Sequence, residues 1–291
     1  MLVRYFPAAP LASHVEMLWF ASRDSLPHSR ERGLPSGRVD IVIPLLQEDV
    51  LRFDGVDSLV PRRLSGAVIS GAHDQFSVRG MSGPSSVIGV HFHPGGAAPF
   101  FSGSLGRLRN QTVLLEEVWG PVAYQLRERL QAAPQVPQKF RILEEALLSR
   151  LSAALPTDAM VMRTLRALAQ DPSAARITRL QRAANCSPQP FIRRFEATVG
   201  LTPKRYARVL RFNALLLRLV RVGSRDWAQL AADGGYFDQS HLIHEFNRLS
   251  GLTPSAYAPV GADQPTHVAI ADARGQAHGR KNLQYVARQR G

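Results

Sequence analysis

The feature that most constrains this chain is a repeat. Phe195, Gly200-Leu201-Thr202-Pro203 and Tyr206 recur 51 residues later as Phe246, Gly251-Leu252-Thr253-Pro254 and Tyr257. Self-similarity at this period means one supersecondary unit used twice. In the second copy Asp238 is placed to cap a helix, since its carboxylate can accept from the open N–H groups of the first turn. Leu242, Phe246 and Leu249 follow at spacings of four and three and make one apolar face. Gln239, Ser240, Ile243 and His244 fall outside that face, with Asn247. Gly251 suits the left-handed position after a helix, and Pro254 prevents resumption. In the first copy Ser187 takes the capping position, Phe191 the place of Leu242, and Gln189, Ile192, Arg193 and Glu196 the outer face. A short helix precedes each copy, Ile177 to Ala184 with the turn Asn185-Cys186, and Trp227 to Asp233 with the turn Gly234-Gly235-Tyr236. Two helices joined by a tight turn form a helix-turn-helix, predicted over 177–199 and 227–249.

The stretch Gly235-Tyr236-x-Asp238-x-Ser240, with Phe246, Gly251, Thr253-Pro254 and Tyr257 at fixed spacing, resembles the DNA-binding domain of AraC/XylS transcription regulators over residues 157–258. Two positions depart from that pattern: Gln181 stands where a small residue is usual, and His244 where Arg is frequent. The resemblance implies double-stranded DNA as partner, RNA polymerase as a further one, and a cytoplasmic location. In such units the outer face of the second helix enters the major groove. Gln189, Ile192 and Arg193 are then base-reading candidates in the first copy, as are Gln239, Ser240, Ile243 and His244 in the second. Arg193 is the strongest, because guanidinium matches the O6/N7 edge of guanine. Arg194, Lys204 and Arg205 are phosphate candidates, the last two near a helix N-terminus. Between the copies, Lys204 to Val222 is a Leu-rich connecting helix that would hold the two readers about one turn of DNA apart, ~10 bp.

Charge agrees with this reading. Of a net +13, residues 157–260 carry +8 and residues 1–156 only +2, so the excess lies where a phosphate backbone would bind. At 45% hydrophobic residues the composition is that of a globular protein. No run of apolar residues is long enough to span a membrane, and the N-terminus lacks the pattern of a signal peptide. The single Cys186 cannot form an internal disulfide.

The first half reads differently. Leu11, Val15, Leu18 and Trp19 suggest a helical turn or two. Val39–Leu45, Ala67–Gly71, Gln75–Arg79 and Ser86–His93 read as β-strands among Gly/Pro turns, a sandwich or small barrel. Leu34-Pro35-x-Gly37-x-x-Asp40 and Gly89-Val90-x-Phe92-x-Pro94-Gly95-Gly96-Ala97 resemble the cupin-like sensor domains attached to some AraC-type regulators, which implies an unknown small-molecule effector. The expected organisation is α+β: a β sensor domain over 1–108, a helical connection over 109–156, the DNA-binding domain over 157–258, and a basic tail over 259–291 too poor in large apolar residues to fold. The apolar stripe Phe140, Leu143, Ala146, Leu147 and Leu151 either covers the β domain or pairs two subunits in a homodimer. A boundary is expected at Leu155-Pro156-Thr157-Asp158, with Thr157 or Asp158 capping the next helix.

No catalytic constellation is read, and no cofactor. His91 and His93 share one face of a strand but have no Glu close by to complete a cupin metal site. Two other readings stand beside a ligand-responsive regulator: a metal-dependent cupin enzyme fused to a DNA-binding module, and an architectural DNA binder without a sensor.

Overall fold

The computed structural model describes residues 1–81, 83–151, 158–172, 177–222 and 226–271. Its strands in chain order are β1 (Leu2–Tyr5), β2 (Val15–Arg23), β3 (Arg30–Gly33), β4 (Asp40–Pro44), β5 (Asp49–Phe53), β6 (Arg62–Ser65), β7 (Val68–Ser70), β8 (Ser77–Gly80), β9 (Ser85–Phe92), β10 (Thr112–Leu114) and β11 (His267–Ile270). They build two antiparallel sheets, β1-β2-β9-β4-β7-β10 and β11-β3-β8-β5-β6. The helices are α1 (Glu116–Trp119), α2 (Val122–Ala132), α3 (Val136–Arg150), α4 (Ala159–Gln170), α5 (Ile177–Ala183), α6 (Pro188–Val199), α7 (Pro203–Val222), α8 (Trp227–Asp233) and α9 (Gln239–Ser250). The fold is α+β, as the sequence predicts.

The first sheet turns its aliphatic face to the helices. Leu18, Phe20, Ile41, Ile43, Ile69, Ile88 and Val90 are buried in one cluster with Leu126, Leu143 and Leu147 of α2 and α3. Thus Phe140, Leu143, Ala146 and Leu147 are buried within the chain itself. The opposite face mixes polar and apolar side chains. Side chains directly opposite one another in an antiparallel ladder share a face, and the register sets Met17, His91, Asp40, Ser70 and Thr112 in one such row. The second sheet carries a matching row of Glu31, Arg79, Arg52 and Arg62. The rows meet across the gap: Arg52 Nε donates to Thr112 Oγ1 at 3.3 Å and Arg62 to the Thr112 carbonyl at 2.7 Å.

Two sequence expectations are corrected. The apolar residues from Leu11 to Trp19 are not a helix of two turns. Only Leu11–Ser13 makes a 3-10 turn, and Val15 onward is strand β2, held on both sides by β1 and β9. Spacings of four and three at Leu11, Val15 and Leu18 mimic a helix, but Leu18 and Phe20 alternating with Met17 and Trp19 is the pattern that tertiary pairing uses. Nor is all of 259–291 without structure. Residues 267–270 form β11, which extends the second sheet by pairing with β3, and Val268 and Ile270 are buried. Residues 272–291 lie outside the described residues, as do Leu155, Pro156 and Thr157 of the expected boundary. Asp158 caps α4, accepting from the N–H groups of Met160 and Val161.

Candidate nucleic-acid interface

The two helix-turn-helix units are α5–α6 and α8–α9. In each, the second helix is fixed by one buried stripe, Phe191, Phe195 and Val199 in α6, and Leu242, Phe246 and Leu249 in α9. Each ends on a left-handed glycine, Gly200 at φ 89° and Gly251 at φ 66°. Asp238 caps α9 through the His241 N–H at 2.7 Å. Ser187 occupies the N-cap of α6, yet its side chain makes no capping bond. Gln181 fills its unusual position by donating its amide across the turn to the Cys186 carbonyl.

The outer faces differ between the copies. Gln239, Ser240, Ile243 and His244 on α9 are all exposed, and Phe237 in the turn before them is 92% exposed. On α6, Gln189 and Arg193 are exposed, but Ile192 is half-buried against the main core. Glu196, in the same stripe, meets Arg109 of the N-terminal domain at 3.5 Å. The phosphate candidates also divide. Lys204 is exposed. Arg194 makes a two-pronged pair with Asp158, at 2.8 and 2.9 Å. Arg205 is bound to Asp74, which also accepts from Asn110 Nδ2 at 2.7 Å. In this state neither arginine offers an unengaged guanidinium to DNA. The reason is tertiary: Asp74 lies 131 residues from Arg205, beyond any local pattern.

The arginines of α7 likewise serve the fold. Arg208 grips Glu245 of α9 through two bonds of 2.6 and 2.9 Å. Arg211 lies over the Tyr236 ring, and Arg218 pairs with Asp233 at 3.2 Å. These contacts lock α7 to the second unit.

The loop between β7 and β8 joins the units to the β domain. Ala72 abuts Gly200, where a Cβ would lie 3.1 Å from the Ala72 methyl carbon. Asp74 holds Arg205. Phe76 covers Gly251, where a Cβ would approach its ring to 2.5 Å. Ala72 and Phe76 therefore touch equivalent glycines of the repeat, and Asp74 between them holds the connecting helix α7. His73, between them, lies in the field of Arg52 and Asp40 in the polar space between the sheets. Burial, then the Arg52 charge, pushes its imidazole down to about 4, so it is neutral at pH 7. The sequence offered no sign of this connector beyond a short turn between two strands.

His91, weighed as a metal ligand in the sequence and set aside, has other partners. His91 Nδ1 is 2.6 Å from Asp40, and its ring stacks on Trp19. Among the described residues no three His, Cys, Asp or Glu side chains are grouped to hold a metal ion, and no helix is long and apolar enough to cross a membrane.

A family model falls on the same residues as these two units. Residues 180–259 match the family described as a helix-turn-helix domain, and residues 3–114 match a domain of unknown function. No curated protein matches the chain. Among solved structures it is similar to ToxT from Vibrio cholerae, at 11% identity and a TM-score of 0.44 over 82% of this chain and 96% of that one. A ToxT structure bound to (E)-4-(8-methylnaphthalen-1-yl)but-3-enoic acid gives the same values. Wild-type ToxT with a bound unsaturated fatty acid matches at 11% identity and 0.43, over 82% and 94%. The chain therefore carries a helix-turn-helix domain over residues 180–259 behind an N-terminal β domain. Helix-turn-helix units are DNA-binding modules.

Proposed function

We propose that this chain is a transcription regulator of the AraC type that reads a specific DNA sequence with α6 and α9, and that its N-terminal domain senses a small molecule and adjusts how those helices are presented. The observation that carries the reading is the loop from Gly71 to Phe76. Its outer side chains rest on both helix-turn-helix units, and His73 faces the polar space between the sheets. A ligand that shifts this loop shifts both units together. Partial burial of Ile192 and Glu196 supports a state in which the β domain holds back part of the α6 face.

Arg193→Ala is expected to weaken binding to the cognate site by about 1–3 kcal/mol and to relax preference at one base position. His244→Ala is expected to cost less, since an imidazole is shorter than a guanidinium and lacks the fork that matches guanine. Affinity should fall steeply with salt as lysines and arginines displace counterions. Titration against a panel of single-base operator variants measures all three. Greater loss of discrimination from His244→Ala than from Arg193→Ala contradicts the assignment of α6 as principal reader.

Asp74→Ala tests the coupling. It frees Arg205 and loosens one side of the clamp, so operator affinity is expected to change by roughly 0.5–2 kcal/mol, the size reported for residues that link sites, although Asp74 belongs to the β domain. Unchanged affinity with an unchanged response to the effector would remove the loop from the mechanism.

A further inference from the structure

Among the described residues no large apolar side chain is more exposed than Phe237, at 92%. It stands in the turn of the second helix-turn-helix unit, one residue before Asp238, the N-cap of α9. An apolar residue in that place often packs against the fourth residue of the helix. Here that residue is Leu242, which is fully buried, yet Phe237 belongs to neither apolar cluster. Tyr236 beside it is turned inward, with Arg211 over its ring. The turn itself is held. The Phe237 N–H donates to His241 Nδ1 at 3.1 Å, and the His241 N–H donates to Asp238 at 2.7 Å. The His241 and Tyr236 rings meet edge to face, with centroids 5.7 Å apart. The direction in which Phe237 leaves the backbone is therefore set by the fold. The equivalent position in the first unit is Cys186, which is half-buried against the main core. Only the second unit turns an aromatic ring outward here.

We infer that Phe237 is a specificity-determining residue, whose ring packs on the C5-methyl group of a thymine in the major groove beside the bases met by α9. This rests on the reading of α9 as a DNA reader and adds a position to it. The N-terminal end of a recognition helix is the end that meets base edges. Phe237 lies at that end of α9, and Gln239, Ser240, Ile243 and His244, which follow it, are exposed with it. The net charge of +8 over residues 157–260 draws a phosphate backbone to this part of the chain. Of the four bases only thymine presents a methyl group in the major groove, and apolar side chains read it by contact. Water leaves both surfaces when ring and methyl meet. A single exposed apolar residue means little alone. What sets Phe237 apart is a fixed turn and the exposed candidates directly after it.

The test uses the full chain, whose α9 face is exposed as it stands. The wild type selects from a pool of short duplexes with a randomised centre. The selected duplex is then titrated with each thymine replaced in turn by uracil, which removes the methyl group and keeps the pairing. The wild type is expected to lose roughly three- to fivefold in affinity at one such position, the worth of one buried methyl group. Phe237→Ala is expected to bind the thymine duplex about tenfold more weakly and to be indifferent to uracil at that position. Ile243→Ala is expected to keep the sensitivity there. The urea midpoint of Phe237→Ala should equal that of the wild type, since the ring is exposed. A lowered midpoint would show that the ring serves the fold, and overturns the proposal. So does the absence of any uracil-sensitive thymine, or a sensitivity that survives in Phe237→Ala or is lost in Ile243→Ala alone. Failure of the wild type to select any sequence overturns the reading of α9 and this inference with it. Selection of a sequence without a thymine that depends on Phe237 leaves α9 as a reader and removes Phe237 alone.

Discussion

Phe195→Ala is expected to lower the stability of the whole chain by about 3–5 kcal/mol. Phe195 is fully buried, packs at 5.9 Å on Tyr206, and belongs to one cluster with Ile41, Val90 and Leu143 of the N-terminal half. Its counterpart in the repeat, Phe246, sits in a second cluster with Phe212 and Leu242, its ring 5.3 Å from that of Phe212. Phe246→Ala should cost a similar amount but act on a different part of the molecule. Urea unfolding gives the size of each effect, and hydrogen exchange gives its location. Faster exchange in β4 and β9 is expected for Phe195→Ala and not for Phe246→Ala. Indistinguishable exchange patterns would show that the two clusters are not energetically separate.

Glu31→Ala is expected to cost about 3–5 kcal/mol, because it leaves Arg79 facing the sheet interior without its carboxylate. Glu31 is only 2% exposed. Burial alone would push its carboxyl up, but the His267 ring and the Arg79 guanidinium outweigh burial and hold it well below the usual carboxylate range. A folded value below the unfolded one, about 4.3, stabilises the fold fully above that pH, and the stabilisation is lost as pH falls through and below it. The wild type should therefore lose stability below about pH 4, and Glu31→Ala should lose less over the same range. Parallel urea titrations at pH 7 and pH 3.5 measure both. Equal acid sensitivity in the two chains would assign the loss to other carboxylates.

What the sequence revealed and what it hid follow from range. The helix-turn-helix pair was legible because a cap, an apolar stripe and a terminal glycine lie within a dozen residues of one another. Strands β4, β7, β8 and β9 were legible from short β-branched or alternating runs between turns. β11 was not, since four residues in a stretch rich in Ala and Gln become a strand only when β3 is alongside. The exposed candidates Gln189, Arg193, Ser240 and His244 were legible as the face opposite a stripe. Ile192, Arg194 and Arg205 looked equally available, and only tertiary contacts with the core, Asp158 and Asp74 distinguish them. Asp40 and Ser70 fall within expected strands, whereas Arg52 lies in β5, which the sequence did not disclose. That a second sheet covers the side of Asp40 and Ser70 is a fact of topology.

The pairing of β11 with β3 sets an order of events during synthesis. Gly33 has His267 as its partner, 234 residues later in the chain. At about 5–20 residues per second, the free edge of β3 waits roughly 10–50 s for its neighbour to be made. An open strand edge is a template for other chains. β3 carries Arg30, Glu31 and Arg32 in succession, charges that discourage such pairing while the edge is bare. The same four-residue strand that closes the sheet in the finished molecule thus leaves the nascent one dependent on those charges for its solubility.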